Sequence, residues 1–306
     1  MRACNVITRG SVRASWATCH RHQGSSTPTP CREVPTLGQF GVPDCAYGSL
    51  MDRTASRESD AQRIRSADLL RRLPSNTDSL LEVGARDGYL SGMFAKHVPR
   101  VVSLDILPPT SAGATTSWIQ ADASKLPFSP ASFDVVLCSE VLEHLNSATL
   151  SSACAELKRV TRRTVIVGVP FEQDLRIGRT TCRSCGQHNP PYGHVNRFTL
   201  GRLSTLFQPL RPINVSYVGA TREATNWLAT LLMDLAGNPW GTYDQAEPCI
   251  HCQSPLIPPR QRSLPERLLS GGAATLNRIQ TRFRASVPLW MHVSFELPTG
   301  RQSVLP

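Results

Sequence analysis

One stretch of the chain, residues 80–145, places acidic residues in or just after short apolar runs. The run Leu80-Leu81-Glu82-Val83 leads into the turn Gly84-Ala85-Arg86-Asp87-Gly88, and two later runs are followed by Asp105 and Asp122. An apolar strand that passes through a glycine-bearing turn into a helix lets backbone amides approach a ligand closely. The stretch therefore predicts a nucleotide-type cofactor pocket at the carboxyl edge of a parallel sheet.

Strand-like apolar runs alternate with segments of helical periodicity through most of the chain. Strands are expected at 79–83, 100–104, 118–120, 134–138, 164–169, 213–218 and 289–297, and helices at 61–73, 88–97, 150–160, 200–207 and 266–284. Such alternation is typical of an α/β fold with a doubly wound, mainly parallel sheet. We expect seven strands, with a small cap built from inserts.

Composition divides the chain into four parts. Residues 1–50 hold Ser, Thr, Pro, Arg and four scattered Cys with little apolar periodicity, which favours a disordered or non-native extension over a transit peptide. Residues 51–178 hold the cofactor core, and residues 179–262 hold inserts around the sixth strand. Residues 263–306 supply a C-terminal helix and the closing strand.

The net charge of +10 is unevenly spread. Residues 51–178 hold 15 basic and 15 acidic groups, whereas residues 179–306 hold 13 and 6. A basic face for an acidic or nucleic-acid partner is one interpretation, and a solvated Arg-rich surface is the other. We favour the second, because no basic cluster is interleaved with aromatic residues.

Two further features concern location. The longest apolar run, 227–236, is shorter than the roughly 20 residues that a membrane span needs, and it contains Asp234. The remaining cysteines suit a reducing compartment, so we expect a cytoplasmic protein without a membrane span.

The acids decide between two cofactors that use this pocket geometry. A dinucleotide site needs G-x-G-x-x-G, which is absent here, and Glu82 stands directly before the glycine turn. S-adenosylmethionine carries positive amino and sulfonium groups that favour nearby carboxylates. Asp105 is placed to accept hydrogen bonds from ribose hydroxyls, and Asp122 is placed near the adenine amino group. The ordered acids favour the methyl donor.

These motifs resemble the class I S-adenosylmethionine-dependent methyltransferases, especially the broad group with EVLEH after the fourth strand, over about residues 60–220. The resemblance implies a Rossmann-like methyltransferase fold and a set of donor-binding residues. The family usually has Gly at the position of Arg86, so the conformation of this loop is open. The implied donor-binding residues are Glu82, Gly84, Gly88, Asp105, Ile106, Asp122, Ala123, Ser139 and Glu140.

The EVLEH segment offers candidate catalytic residues. Glu140, Glu143 and His144 at i, i+3 and i+4 would share one helix face, which suits a divalent ion. A similar ExxEH in plant-type small-RNA 2′-O-methyltransferases is associated with a metal, and ubiquinone-pathway O-methyltransferases look similar here. Alternatively Glu140 lines the donor pocket and the other two support the helix, or His144 acts as a general base.

Two CxxC pairs, Cys182–Cys185 and Cys249–Cys252, are a stronger signal together than either alone. Two such knuckles supply the four thiolates of a tetrahedral zinc site. The pairs follow the fifth and sixth strands, so both are expected at the carboxyl edge, where a structural zinc cap would cover the pocket. Unrelated thiol pairs or a redox motif are the alternatives, and three histidines are possible substitute ligands: His188, His194 and His251.

The sequence thus predicts a methyltransferase with S-adenosylmethionine as donor and a structural zinc ion. A small-molecule or glycan-precursor acceptor is favoured over nucleic acid, because no RNA-binding module is evident and the core is electrically neutral. The alternatives are a metal-assisted RNA 2′-O-methyltransferase and a non-catalytic zinc-containing protein with a relict core.

Overall fold

The computed structural model describes residues 60–108, 116–259 and 262–297. The strands in these residues are β1 (Ser79–Val83), β2 (Arg100–Asp105), β3 (Ser117–Gln120), β4 (Phe133–Ser139), β5 (Thr161–Pro170), β6 (Thr180–Thr181), β7 (His188–Asn189), β8 (Arg211–Val218) and β9 (Trp290–Glu296). One seven-stranded sheet has the order β3–β2–β1–β4–β5–β9–β8, and a two-stranded sheet pairs β6 with β7.

The described helices alternate with the strands in the first half of the sequence and form a pair near its end. They are α1 (Asp60–Arg71), α2 (Tyr89–Phe94), α3 (Ser147–Val160), α4 (Leu200–Leu206), α5 (Trp227–Leu235) and α6 (Leu264–Phe283). Asn146 caps α3 by accepting a hydrogen bond from the Thr149 N–H, and Ser263 with Glu266 forms a capping box at the start of α6.

Pairing in the main sheet follows the expected pattern. β1, β2, β3, β4 and β5 pair in parallel, and β9 runs antiparallel between β5 and β8. Every residue of β1 and β4 is buried, because side chains pack on both faces of these central strands. The mainly parallel seven-stranded prediction is therefore confirmed, and the carboxyl ends of β1, β2 and β4 lie along one edge.

Most predicted elements are present with small shifts of their ends. Three elements are not among those predicted: α5, whose apolar run is considered above only as too short for a membrane span, and the short strands β6 and β7 of the insert. The expectation for residues 1–50 lies outside the described residues. Among the described helices, none combines the length and apolarity that a membrane crossing requires.

Candidate active site and cysteine cluster

The glycine turn after β1 is held against the end of β2. The N–H groups of Gly84 and Ala85 both donate to the Leu104 carbonyl oxygen, at 2.8 and 3.0 Å. Gly84 and Gly88 have φ of 83° and 73°, in the left-handed region that glycine adopts without strain. A Cβ added at Gly88 would face open space, so the turn leaves room beside it for a bound molecule.

Arg86, at the position where the resembled family usually has Gly, has a left-handed backbone conformation. Its φ is 49°, and its N–H donates to Oδ2 of Asp105 at 2.8 Å. The departure from the family pattern therefore changes the side chain while the loop keeps a left-handed turn. Oδ1 of Asp105 accepts from the Leu107 N–H at 3.0 Å, and the half-buried carboxylate retains lone pairs for further donors.

The other residues predicted on the ribose and adenine side lie near Asp105. Ile106 is exposed, and the Ala121 N–H donates to the Asp105 carbonyl oxygen at 3.0 Å, so the segments that follow β2 and β3 are adjacent. Asp122 is exposed, and hydrogen bonds from Ser124 lower the pKa of its carboxyl. Ala123, between Asp122 and Ser124, is half-buried. This arrangement fits the donor contacts implied by the sequence.

Glu82, the fourth residue of β1, is buried. Its carboxylate is buried and accepts a hydrogen bond from the Ser91 hydroxyl of α2, while the Ser103 hydroxyl donates to Ser91 at 2.6 Å. Burial raises the pKa of Glu82 to about 7, against the opposing effect of the Ser91 hydrogen bond. The described hydrogen bond of Glu82 therefore links β1 to α2.

Glu140 follows β4 and is tied to two residues that sequence reasoning missed. Its Oε1 lies 3.3 Å from Nη1 of Arg65, and Trp290 Nε1 donates to its Oε2 at 3.3 Å. Arg65 also donates to Ser139 Oγ at 3.3 Å. A signal for Arg65 existed: it lies four residues before the buried Leu69 and so shares the core-facing side of α1.

The expected helix face carrying Glu140, Glu143 and His144 is wrong. Glu140 has a φ of 57°, and a single 3₁₀ turn spans Leu142–His144. The reason is tertiary: the Glu140 N–H donates to the Gly168 carbonyl oxygen of β5. The Glu143 carbonyl oxygen instead accepts from the Val195 and Asn196 N–H groups, at 2.7 and 3.1 Å. These bonds replace the i→i+4 bonds of a helix.

Glu143 and His144 are instead brought against His194 of the insert. Atoms of these three side chains lie within 4.8 Å of one another, and the two imidazole rings are 4.6 Å apart at 85°. Burial lowers the pKa of His144, and burial with the neighbouring His144 lowers that of His194 to about 3, so both rings are neutral at pH 7. Burial and the nearby Glu140 raise the pKa of Glu143 well above its usual value.

A cavity of about 150 Å³ opens where β4 and β5 end. Its wall includes Glu140 from the end of β4, Phe171 after β5, Trp290 of β9 and two insert residues, Tyr192 and His194. Residues of the insert therefore line a cavity at the edge of the sheet that follows β4.

The two CxxC pairs meet, although 63 residues separate them in the sequence. The four sulfurs lie within 4.8 Å of one another, with Sγ–Sγ distances of 3.6 Å for Cys182–Cys252 and 3.7 Å for Cys185–Cys249. This spacing brings four sulfurs around one point, the donor set that zinc prefers in structural sites.

The two pairs also form matching backbone turns. The Gly186 N–H donates to the Cys182 carbonyl oxygen at 2.8 Å, and the Gln253 N–H donates to that of Cys249 at 2.9 Å. Gly186 and Gln253 both have positive φ, of 73° and 58°. A repeated turn of this kind is consistent with two knuckles of one metal site.

The substitute zinc ligands considered from sequence do not join the cysteines in the described part of the chain. The His251 ring nitrogen Nε2 lies 3.2 Å from the His188 carbonyl oxygen, and His188 Nδ1 lies 3.2 Å from Thr181 Oγ1. His194 lies with Glu143 and His144 instead.

Comparison with known proteins shows which domain family these residues resemble. The family model described as a methyltransferase domain matches residues 81–167. An uncharacterized methyltransferase of Mycobacterium avium is 30% identical over 145 residues, which cover 44% of this chain and 54% of that protein. A ubiquinone biosynthesis O-methyltransferase of Xylella fastidiosa is 30% identical over 105 residues, 31% of this chain and 43% of that protein. The chain spans about half the length of the curated relatives it matches.

Solved methyltransferase structures were also found. One is a putative methyltransferase of Bacillus halodurans, with TM-score 0.49 and 14% identity, covering 76% of this chain and 99% of that one. Another is the 1,6-didemethyltoxoflavin-N1-methyltransferase of Burkholderia thailandensis with bound S-adenosylhomocysteine, with TM-score 0.43 and 21% identity, covering 55% and 75%.

The strand order, the donor motifs and the matched family define a class I S-adenosylmethionine-dependent methyltransferase domain. Residues 81–167 of this chain belong to that domain family.

Proposed function

We propose that this chain transfers a methyl group from S-adenosylmethionine to a small molecule held in the cavity beside Glu140. One observation carries the proposal: Glu140 belongs to the fourth-strand donor motif and also lines the cavity. A molecule in the cavity would therefore lie next to the predicted donor site. Holding the two reactants side by side is a large part of the rate enhancement in such a transfer.

S-adenosylmethionine supplies an electrophilic methyl group when bound. The donor-side residues proposed to hold it are Glu82, Gly84, Gly88, Asp105, Ile106, Asp122, Ala123, Ser139 and Glu140. The half-buried Asp105 and the open space beside Gly88 support this assignment.

The charges of the cavity wall favour a neutral or cationic acceptor. Glu172 pairs with Arg197 at 3.0 Å, and Asp174 pairs with Arg176 at 2.7 Å. Glu223 lines the same wall, and none of the ion pairs found among the described residues involves its carboxylate. Its carboxylate is available to an amine or a hydroxyl of the acceptor, and would repel a phosphate.

The same wall argues against RNA as the acceptor. A polyanion is normally bound by several Lys and Arg that neutralise its phosphates, whereas the described wall of this cavity holds one Arg, Arg284, beside four acidic residues. A small-molecule or glycan-type acceptor is therefore the proposed class.

For the cysteine cluster we propose a structural zinc ion bound by Cys182, Cys185, Cys249 and Cys252. The four gathered sulfurs and the two matching turns support it. A zinc ion here would fix the inserts that cover the cavity, since it would join residues after β5 to residues after α5.

Calorimetry with S-adenosylhomocysteine, followed by a radiolabelled methyl-transfer screen, tests the function. We expect binding at one site per chain, and label transfer to neutral or cationic small molecules or glycan fractions. Replacing Glu223 by Gln should raise KM for that acceptor with little change in donor affinity. If S-adenosylhomocysteine does not bind, the result would favour the alternative of a non-catalytic zinc-containing protein with a relict core. Transfer to RNA with a steep salt dependence would favour the RNA alternative.

A further inference from the structure

The Glu143 carboxyl group is fully buried, and neither of its oxygens has a hydrogen-bond partner among the described residues. A carboxylate removed from water without a partner is strongly unfavourable. The group must therefore bind either a proton or a cation. The side chains next to Glu143 indicate which of the two suits the site.

Two imidazoles lie next to this carboxyl group, with ligand atoms of all three side chains within 4.8 Å of one another. His194 is 5% exposed, and its Nδ1 lies 2.6 Å from Oε1 of Gln173. When Nδ1 donates to that amide oxygen, the ring keeps its lone pair on Nε2, the arrangement found in metal-binding histidines. His144 is held beside it, with the rings perpendicular.

The backbone fixes the relative positions of these ligands. His194 follows a 3₁₀ turn, Pro191–Gly193, and the next two N–H groups of the chain donate to the Glu143 carbonyl oxygen. The Asn196 side chain also donates to the Leu142 carbonyl oxygen at 3.0 Å. The insert and the segment after β4 are therefore joined at the cluster itself, which preorganises the three side chains.

We propose that Glu143, His144 and His194 bind a divalent transition-metal ion, at a site separate from the cysteine cluster. Two imidazole nitrogens and one carboxylate oxygen form a donor set that suits Mn²⁺, Fe²⁺ or Zn²⁺ and leaves coordination positions open. Glu140 lies outside this group of ligand atoms, and its carboxylate contacts Arg65 and Trp290 instead.

The position of the ion also suggests what it would contact. His194 lines the cavity, so the open coordination positions would be available to a hydroxyl or carboxylate oxygen of the acceptor. This role in acceptor binding rests on the proposed function. Binding of the ion itself does not, since it needs no methyl donor.

Metal titration of the purified full-length chain, with any cysteine-bound zinc retained, tests the site. Mn²⁺ binding would be followed by loss of the free-ion signal in electron paramagnetic resonance, and Zn²⁺ binding by calorimetry. We expect one additional ion per chain for at least one of these metals. Glu143→Gln and His194→Gln should each weaken that binding at least tenfold. Glu172→Gln, a cavity carboxylate paired with Arg197, should leave it unchanged.

The variant Glu143→Gln also separates loss of a ligand from loss of the fold. A neutral amide removes the buried charge, so without metal this variant should melt at or above the wild-type temperature. The proposal is overturned if neither ion binds beyond the cysteine site, or if both variants bind as wild type. If the chain binds the metal ion but not S-adenosylhomocysteine, the metal site is supported and the proposed function is contradicted.

Discussion

The N–H of Arg86 donates a 2.8 Å hydrogen bond to Oδ2 of Asp105, which joins the turn after β1 to the last residue of β2. The acid that the sequence assigned to the ribose thus also holds the loop on the other side of the pocket. The proposed donor binding and the conformation of the loop would therefore depend on the same carboxylate.

Replacing Asp105 by Ala should weaken S-adenosylhomocysteine binding at least tenfold, or about 1.4 kcal/mol. The change removes the ribose-side acceptor and leaves the Arg86 N–H without its partner. Calorimetry measures the effect. Asp60→Ala, which removes an exposed carboxylate of α1, is the matched control and should bind as wild type. Equal affinities for both variants would remove Asp105 from the site.

Replacing Arg86 by Gly should raise the free energy of unfolding by up to about 1 kcal/mol. Relief of the left-handed strain is worth roughly 1–2 kcal/mol, and the added freedom of the unfolded chain offsets part of it. Urea denaturation measures the gain. Asn76→Gly, at a φ of 56° in the turn before β1, should gain less because Asn tolerates this region. A loss of stability at Arg86 would show that its side chain stabilises the fold.

Gly84 and Gly88 should respond differently to Ala, although both have positive φ. A Cβ at Gly84 would lie 2.1 Å from Cγ2 of Val141, whereas one at Gly88 meets nothing within 4 Å. Strain alone should cost about 1 kcal/mol at Gly88, and strain with overpacking about 3 kcal/mol at Gly84. Urea denaturation compares them, and adding Val141→Ala should recover part of the Gly84 loss. Equal losses would contradict the predicted clash.

The cysteine cluster should hold one zinc ion per chain. Cys182→Ser and Cys249→Ser should each lose it, because four thiolates complete the site. Elemental analysis after gel filtration gives the stoichiometry. Cys154→Ser is the control, since Cys154 is a buried cysteine of α3 outside the cluster. Zinc retained by both cluster variants would mean a different ligand set.

Stability should depend on Glu82 between about pH 4.5 and 7. Because burial raises its folded pKa to about 7, the native state keeps a proton that the unfolded state has lost above 4.5. Its contribution therefore falls as pH rises through that window, by up to about 3 kcal/mol. Glu82→Gln cannot ionise, so relative to wild type it should be more stable at pH 8 than at pH 5. Urea denaturation of the ligand-free protein measures the free energies of unfolding of the variant and the wild type at both pH values. If the variant and the wild type differ by the same amount at pH 5 and pH 8, the raised pKa is contradicted.

The central strands were predictable from the sequence because their pattern is local. β1 was predicted with its observed bounds, and β4 within one residue at each end, since a short apolar run between turns reads as a strand buried on both faces. The helix α5 was missed for a related reason. Its run is apolar almost throughout, and such a run does not show the period by which a helix is recognised.

The site was only partly predictable. The acids and the cysteines stand in recognisable motifs, but Arg65 and Trp290 stand in none, and their contacts with Glu140 depend on how α1 and β9 pack. His194 was considered as a zinc ligand, whereas the structure places it with Glu143.

The positions of the strands along the chain, the glycine turn, the acids around it and the two pairs of thiols can be predicted from the amino-acid sequence alone. These features follow from residue type and short spacings, which fix local backbone geometry. Three features become evident only in the tertiary structure: the thiol pairs meet, the EVLEH segment is not an α-helix, and Glu143 faces two imidazoles. Each of these depends on hydrogen bonds and packing between distant segments, such as the amides of Val195 and Asn196 on the Glu143 carbonyl.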